Sequence, residues 1–143
     1  MTDDKTISRR ELSSSDRAVS GLLYGILAGL LMAAVLMGAD LVLGHGWRQA
    51  VNIYNPFGQE APLQGLLLHL GVSAVYGTVF GLLQPLIPRR LPGWVAGLGY
   101  GLLLFYLAQY VLLPRAHVGM ADLPPSALLL GHVVYGLVMG LGS

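Results

Sequence analysis

Three ionisable side chains lie inside long apolar stretches of the sequence, and they are the first candidates for chemistry. They are Asp40, His69 and His132. Ionisable groups within membrane spans are costly, and they often mark ion paths or ligand sites. Two inward histidines at matching depth could ligate the iron of haem b, since imidazole is a common axial ligand. With Asp40, the same histidines could instead form a proton or ion pathway.

The same residues also fit a purely structural role. A neutral histidine can donate to a backbone carbonyl or to a tyrosine hydroxyl on a neighbouring helix, and Asp40 can reach the interface or pair with Arg48. A haem would push the helices apart, and an ion path would need polar groups in the inner half of the bundle. There the sequence offers Ser73, Thr78 and tyrosines. Packing is therefore the preferred interpretation, while the haem site and the ion pathway stay open.

Several other kinds of chemistry are excluded by composition. The chain has no Cys, which rules out disulfides, thiolate metal sites and cysteine nucleophiles. Its net charge of +1 offers no basic surface for nucleic acid. The sequence contains no G-x-S-x-G, H-E-x-x-H or phosphate-loop motif. We therefore predict no catalytic residues, no metal site and no enzymatic activity.

The elements that must position these residues are four apolar runs. Of the 143 residues, 55% are hydrophobic and 10% are charged, whereas soluble domains carry about 25% charged residues. A membrane span needs about 20 apolar residues. The predicted fold is an all-α integral membrane four-helix bundle, with a polar segment at 1–17 and a transmembrane domain at 18–143. The spans are expected at about 18–43, 63–87, 94–113 and 124–142.

The distribution of basic residues predicts the orientation. Six of the eight basic residues fall in the N-terminal segment and in the connection between the second and third runs, namely Lys5, Arg9, Arg10, Arg17, Arg89 and Arg90. The other two, Arg48 and Arg115, lie in the remaining connections. The positive-inside rule then places both termini in the cytoplasm of a multi-pass protein of the inner membrane.

Small residues recur at intervals of four in each run, which places them on one helix face. Such stripes let helix backbones approach closely in lipid. The expected packing residues are Gly21, Gly25, Gly29, Ser73, Gly77, Gly81, Gly97, Gly101, Gly136 and Gly140.

The dipeptide Tyr-Gly occurs once in each run, and "VYGTVFGLL" from Val75 aligns with "VYGLVMGLG" from Val134. Two tandem helical hairpins, related as an internal repeat, would explain this pattern. The motif H-x-x-Y-G-x-x-x-G, which starts at His132, resembles that of small, mostly uncharacterised bacterial four-span membrane proteins. In the second run, Ser73 stands where the motif has His. The resemblance implies a fold and no particular activity.

The connection between the first two runs carries aromatic residues. We expect Trp47, Tyr54 and Phe57 to lie in an aromatic belt at the membrane interface. We expect His45 and His117, in the two outer connections, to be solvated.

The function expected from these features is that of a non-catalytic accessory subunit. Its partners would be membrane lipid and the integral subunits of a larger bacterial complex of respiratory or photosynthetic type. One alternative is a small homodimeric transporter or channel that uses Asp40, His69 and His132. A second is a membrane protein that binds haem b through His69 and His132.

Overall fold

The computed structural model describes residues 13–57, 60–116 and 119–142, and it contains helices and connections but no strand in those residues. The first twelve residues of the predicted polar segment lie outside the described residues. The α-helices are α1 (Ser14–Val42), α2 (Trp47–Asn52), α3 (Pro62–Leu83), α4 (Gly93–Leu107) and α5 (Pro125–Leu141).

Three helical segments of the described chain are long and apolar enough to cross a membrane. They are Ser14–Val42, Pro62–Leu86 and Gly93–Arg115, with 29, 25 and 23 residues. The fourth apolar helix, α5, has 17 residues, so it extends about 26 Å at 1.5 Å per residue. That length is slightly below the roughly 30 Å of a bilayer core. The prediction of an all-helical chain with apolar helices of membrane-spanning length is confirmed for the described residues.

Local sequence explains where the helices begin and end. Ser13 caps α1, because its hydroxyl accepts a hydrogen bond from the Asp16 backbone N–H at 3.1 Å and the Asp16 carboxylate accepts one from the Ser13 N–H at 3.0 Å. This reciprocal pair satisfies two N–H groups that the first helical turn leaves free. Pro62 and Pro125 begin α3 and α5, where a missing N–H costs nothing. Gly44 follows α1 with φ +88°, a conformation that favours glycine.

Helices α1 and α3 pack backbone against backbone. A Cβ atom added to any of four glycines would lie within 3.0 Å of backbone atoms of the opposite helix, and these glycines are Gly21, Gly25, Gly77 and Gly81. At Gly29, an added Cβ would meet the Ser73 side chain at 2.5 Å. Only glycine allows this approach, which brings many backbone atoms into van der Waals contact.

Helices α4 and α5 pack in the same way. A Cβ atom would come within 3.0 Å of the opposite backbone at Gly97, Gly101, Gly136 and Gly140. The backbone atoms that it would meet belong to Gly136, His132, Gly97 and Gly93 respectively. The peptide of His132 therefore lies directly against α4.

The two helix pairs meet through α1 and α5, which form the centre of the bundle. Ala28 and Leu36 of α1 and Leu128 of α5 are almost completely buried. Gly131 leaves room there for Leu36, whose Cδ2 would lie 3.1 Å from an added Cβ. The outer helices α3 and α4 share few close contacts with each other, so one side of the bundle is loosely closed.

The connection between α1 and α3 folds over one end of the bundle, which we call the long-loop end. Trp47 and Phe57 are mostly exposed, as expected for an aromatic belt, but Tyr54 is only 4% exposed. The prediction for Tyr54 was wrong. Gly65, near the start of α3, explains why, since an added Cβ there would lie 2.7 Å from the Asn55 nitrogen. The loop backbone rests on α3 and carries the Tyr54 ring into the bundle.

The helical path of α4 changes its hydrogen-bonding pattern before it ends. A π-helical turn occupies Ala108–Leu112, and a 3-10 turn follows at Leu113–Arg115. The chain then crosses the long-loop end, where the Met120 N–H donates to the Ile53 carbonyl at 2.9 Å. This bond joins the two connections above the bundle. A π turn is wider than an α turn, and such turns occur often at functional sites.

Candidate functional site

A cavity of about 200 Å³ lies on the loosely closed side of the bundle, in the half nearer the long-loop end. Its wall is predominantly apolar. The lining residues come from α3, from α4 and its continuation, from the two connections, and from α1 and α5: Leu68, His69, Val72, Ser73, Tyr76, Leu104, Ala108, Leu112, Leu113, Tyr54, Ala116, Met120, Met32, His132 and Tyr135. The structure therefore brings His69 and His132, which are 63 positions apart in the sequence, to one site.

Each histidine uses one ring nitrogen to bind a backbone carbonyl. Nε2 of His69 lies 3.1 Å from the Gly29 carbonyl oxygen on α1, and Nδ1 of His132 lies 2.8 Å from the Leu128 carbonyl oxygen one turn earlier in α5. A carbonyl oxygen can only accept, so the proton must be on Nε2 of His69 and on Nδ1 of His132. In the neutral ring, the second nitrogen is then a hydrogen-bond acceptor.

Tyrosine hydroxyls tie the helices together next to the cavity. Tyr135 of α5 donates to the Ser73 carbonyl at 2.7 Å, and Tyr100 of α4 donates to the Tyr76 carbonyl at 2.7 Å. The Tyr100 ring also packs on Phe80 of α3, with 5.0 Å between ring centroids. These contacts join α3 to α4 and α5, and two of the residues involved, Tyr76 and Tyr135, line the cavity on the side away from the long loop. In lipid, such interhelical bonds stabilise the bundle by about 0.6–2 kcal/mol each.

Tyr54 covers the cavity at the long-loop end. Its ring packs on the imidazole of His69, with 4.2 Å between centroids and 31° between ring planes. Its hydroxyl is buried and has no hydrogen-bond partner among the described residues. Burial raises the pKa of Tyr54 above its ordinary value, because the charged phenolate would lose its hydration there.

Asp40 lies outside this cavity, and its partner differs from the one we expected. Its Oδ1 is 2.6 Å from Nδ1 of His45, and the carboxyl group is almost fully buried while His45 is about one-third exposed. The expected partner, Arg48, instead lies over the ring of Trp47 at 5.6 Å. Arg48 is therefore not the partner of Asp40, and His45, which was expected to be solvated, is only partly exposed. The reason is that the chain turns back at Gly44 and brings His45 over the end of α1.

The geometry also bears on the haem and metal alternatives. No group of three His, Cys, Asp or Glu side chains that could hold a metal ion occurs in the described residues. Both histidines line one cavity, which is the minimum that a bis-histidine site requires. The cavity of about 200 Å³ is nevertheless smaller than typical ligand pockets of about 300–1,000 Å³. A porphyrin would require α3 to move away from α5, against the bond between Tyr135 and Ser73.

Sequence reasoning identified His69 and His132 but missed most of the other residues that line this site, among them Tyr54, Met120 and Ala108. Tyr54 and Met120 come from connections that were taken to be surface loops, and Ala108 lies on a π turn that no apolar pattern reveals. The position of Tyr54 could have been inferred from Gly65. This glycine continues the stripe of small residues on α3 beyond the part that contacts α1, which indicates that another segment approaches α3 there. His117 lies outside the described residues, so its expected solvation stays a prediction.

Comparison of the chain with protein-family models, with curated proteins and with solved structures gives no match. The resemblance to small bacterial four-span proteins stays a prediction.

Proposed function

We propose that the protein is a non-catalytic accessory subunit that packs against a larger membrane complex of respiratory or photosynthetic type. One observation carries the proposal. The polar side chains inside the helices mostly bind backbone carbonyls, as in the contacts of His69, Tyr100 and Tyr135 with neighbouring helices. Side chains used in this way hold the bundle together, and few polar groups remain that could take part in a reaction.

The outer surface of the bundle supports the same proposal. Leu67 and Val75 of α3 and Leu103 of α4 are each close to 60% exposed. In a membrane these faces meet lipid or the helices of other subunits. Backbone packing at the glycines closes the bundle from within, so the outer faces are free to contact a partner without loss of internal stability.

The proposed arrangement in the membrane has four spans, two tandem helical hairpins and both termini in the cytoplasm of a bacterial inner membrane. The pairing of α1 with α3 and of α4 with α5 supports two hairpins. Because the chain has no Cys, single-cysteine labelling has no background. Ser14→Cys should be protected from an impermeant maleimide added to intact cells, whereas Gln49→Cys should react. The reverse pattern would contradict this orientation.

Native mass spectrometry after gentle extraction tests the accessory role. We expect the chain in a stoichiometric complex with unrelated integral membrane subunits. Val75→Trp and Leu103→Trp change the outer faces of α3 and α4 without touching the core. At least one of them should release the chain from the complex and leave its thermal stability unchanged. A clean homodimer that carries proton-dependent or substrate-dependent flux in liposomes would refute the proposal.

A small homodimeric transporter is the second candidate, because His69 and His132 converge on one cavity. Asp40 does not join them there, since it binds His45 at the end of α1. On the side away from the long loop, Tyr100 and Tyr135 donate to backbone carbonyls. A continuous path would have to break these bonds. Haem b is the third candidate, and an absorption spectrum with a Soret band that disappears in His132→Ala would support it.

A further inference from the structure

The cavity between α3 and α4 has two histidine nitrogens that no donor among the described residues contacts. Nδ1 of His132 and Nε2 of His69 donate to backbone carbonyls. The remaining nitrogen of each neutral ring can only accept. The Tyr54 hydroxyl, on another residue that lines the cavity, is a buried donor with no partner among the described residues. A ligand hydroxyl suits this site, because it can donate to a ring nitrogen and can also accept a hydrogen bond.

The size of the cavity limits the ligand to a single ring. An engineered protein cavity of about 150 Å³ with apolar walls holds one benzene molecule, and this cavity measures about 200 Å³. Its wall includes the aromatic rings of Tyr54, Tyr76 and Tyr135. Offset-stacked and edge-to-face contacts with such rings favour an aromatic ligand over an aliphatic one of equal size.

The route into the cavity runs from the lipid. Leu68 and Val72 of α3 and Leu112 of the π turn line the cavity and are each 43–49% exposed, so they form its mouth. All three lie on segments long enough to cross a membrane. A ligand that enters between them must be soluble in the membrane. The mouth also leaves space for an alkyl substituent to extend into the lipid.

We propose that this cavity binds a membrane-soluble phenol, a single aromatic ring whose hydroxyl donates to Nε2 of His132. His132 is the more deeply buried of the two histidines, so it is the acceptor that we choose. Tyr54 covers the ring from the long-loop end, and the tyrosine contacts near Ser73 form the opposite wall. Binding of a phenol does not require that the protein belong to a larger complex.

Fluorine NMR of the full chain in lipid nanodiscs tests the proposal, with para-fluorophenol and para-fluorotoluene as a pair of probes. The two molecules have the same ring, and a methyl group replaces the hydroxyl in the second. We expect saturable binding of the phenol, about tenfold tighter than that of the toluene, which corresponds to one hydrogen bond. Empty nanodiscs provide the partition background.

Three variants locate the binding. His132→Leu should bind the two probes equally, because the acceptor is gone and the apolar cavity remains. Ala108→Phe fills the cavity from the π turn and should abolish saturable binding of both probes while it leaves the histidines in place. Leu103→Phe, on the exposed face of α4, is the matched control and should bind as the unmodified protein does.

Several results would overturn the proposal. These are the absence of saturable binding, equal affinity of the unmodified protein for both probes, and a preference for the phenol that persists in Ala108→Phe. If His132→Leu does not fold, the comparison of the two probes on the unmodified protein and on Ala108→Phe still decides the question.

Discussion

Replacement of Gly77 by Ala should separate α1 from α3 and destabilise the bundle. A Cβ atom at this position would lie 2.5 Å from the Gly25 Cα and 2.9 Å from the Gly25 nitrogen, and it would also overlap the Gly21 carbonyl oxygen. All of these atoms belong to the backbone, so no side-chain rotation relieves the overlap. The helix axes themselves must move apart.

The size of the effect follows from that displacement. Ordinary contact begins at 3.4 Å, so the helices must separate by at least about 0.9 Å at Gly77 to relieve the contact with the Gly25 Cα. A gap of about 0.5–1 Å removes a quarter to a half of the dispersion energy of each atom pair along the interface. Overpacking of this kind costs about 1–3 kcal/mol, and the better helix propensity of Ala returns at most about 1 kcal/mol.

The matched control is on the same helix. An added Cβ at Gly71 meets nothing within 4 Å, so Gly71→Ala should be neutral or stabilising by up to about 1 kcal/mol. Unfolding in mixed detergent micelles, followed by circular dichroism, measures both variants under identical conditions. The propensity gain is common to both variants, so we expect the free energy of unfolding to be about 1–3 kcal/mol lower for Gly77→Ala than for Gly71→Ala.

A double-mutant cycle with Gly21→Ala tests the same reasoning. Both substitutions force apart the same pair of helices, so the second should cost less than it does alone, with a coupling of about 0.5–3 kcal/mol. Equal stability of Gly77→Ala and Gly71→Ala, or strict additivity of Gly77→Ala with Gly21→Ala, would refute backbone contact as the source of stability.

Three further predictions concern hydrogen bonds. Tyr54→Phe removes a buried hydroxyl that has no partner in the described residues and should stabilise the fold by about 1 kcal/mol. Because burial raises the pKa of Tyr54, the native state keeps this proton while the unfolded chain loses it above about pH 10. Stability of the unmodified protein should therefore fall more steeply above pH 10 than that of Tyr54→Phe, and parallel pH profiles from thermal melting would contradict this. Ser13→Ala removes the cap of α1 and should cost about 1 kcal/mol, seen as faster amide exchange in the first turn, whereas Ser14→Ala should leave exchange unchanged. Tyr135→Phe breaks a bond between α5 and α3 and should lower the melting temperature, while Tyr106→Phe, at an exposed site, should not.

Composition and periodicity alone determined the class of protein and the positions of its long helices. Apolar runs of membrane length must be helical, because a helix satisfies its own backbone hydrogen bonds where no water is available. The spacing of small residues likewise indicated which helix faces can approach a neighbour, since residues four apart share a face. The length of an apolar run and the spacing of small residues are each properties of a single segment, so the sequence alone reveals them.

The sequence did not reveal the hydrogen-bond partner of each polar group. The sequence showed that Tyr100 and Tyr135 lie in helices, but which carbonyls they bind depends on how α3, α4 and α5 are placed side by side. Asp40 illustrates the same dependence at short range, because the turn at Gly44 decides that His45 rather than Arg48 reaches its carboxylate.

Only the tertiary structure decided that a cavity exists and what lines it. The cavity forms because α3 and α4 each pack on a central helix and share few contacts with each other. Tyr54 reaches the cavity because the loop backbone packs on Gly65. Ala108 lines the cavity from a π turn, which is defined by backbone hydrogen bonds and not by a pattern of side chains. A space between helices belongs to no single segment, so it arises only when residues distant in sequence are packed together.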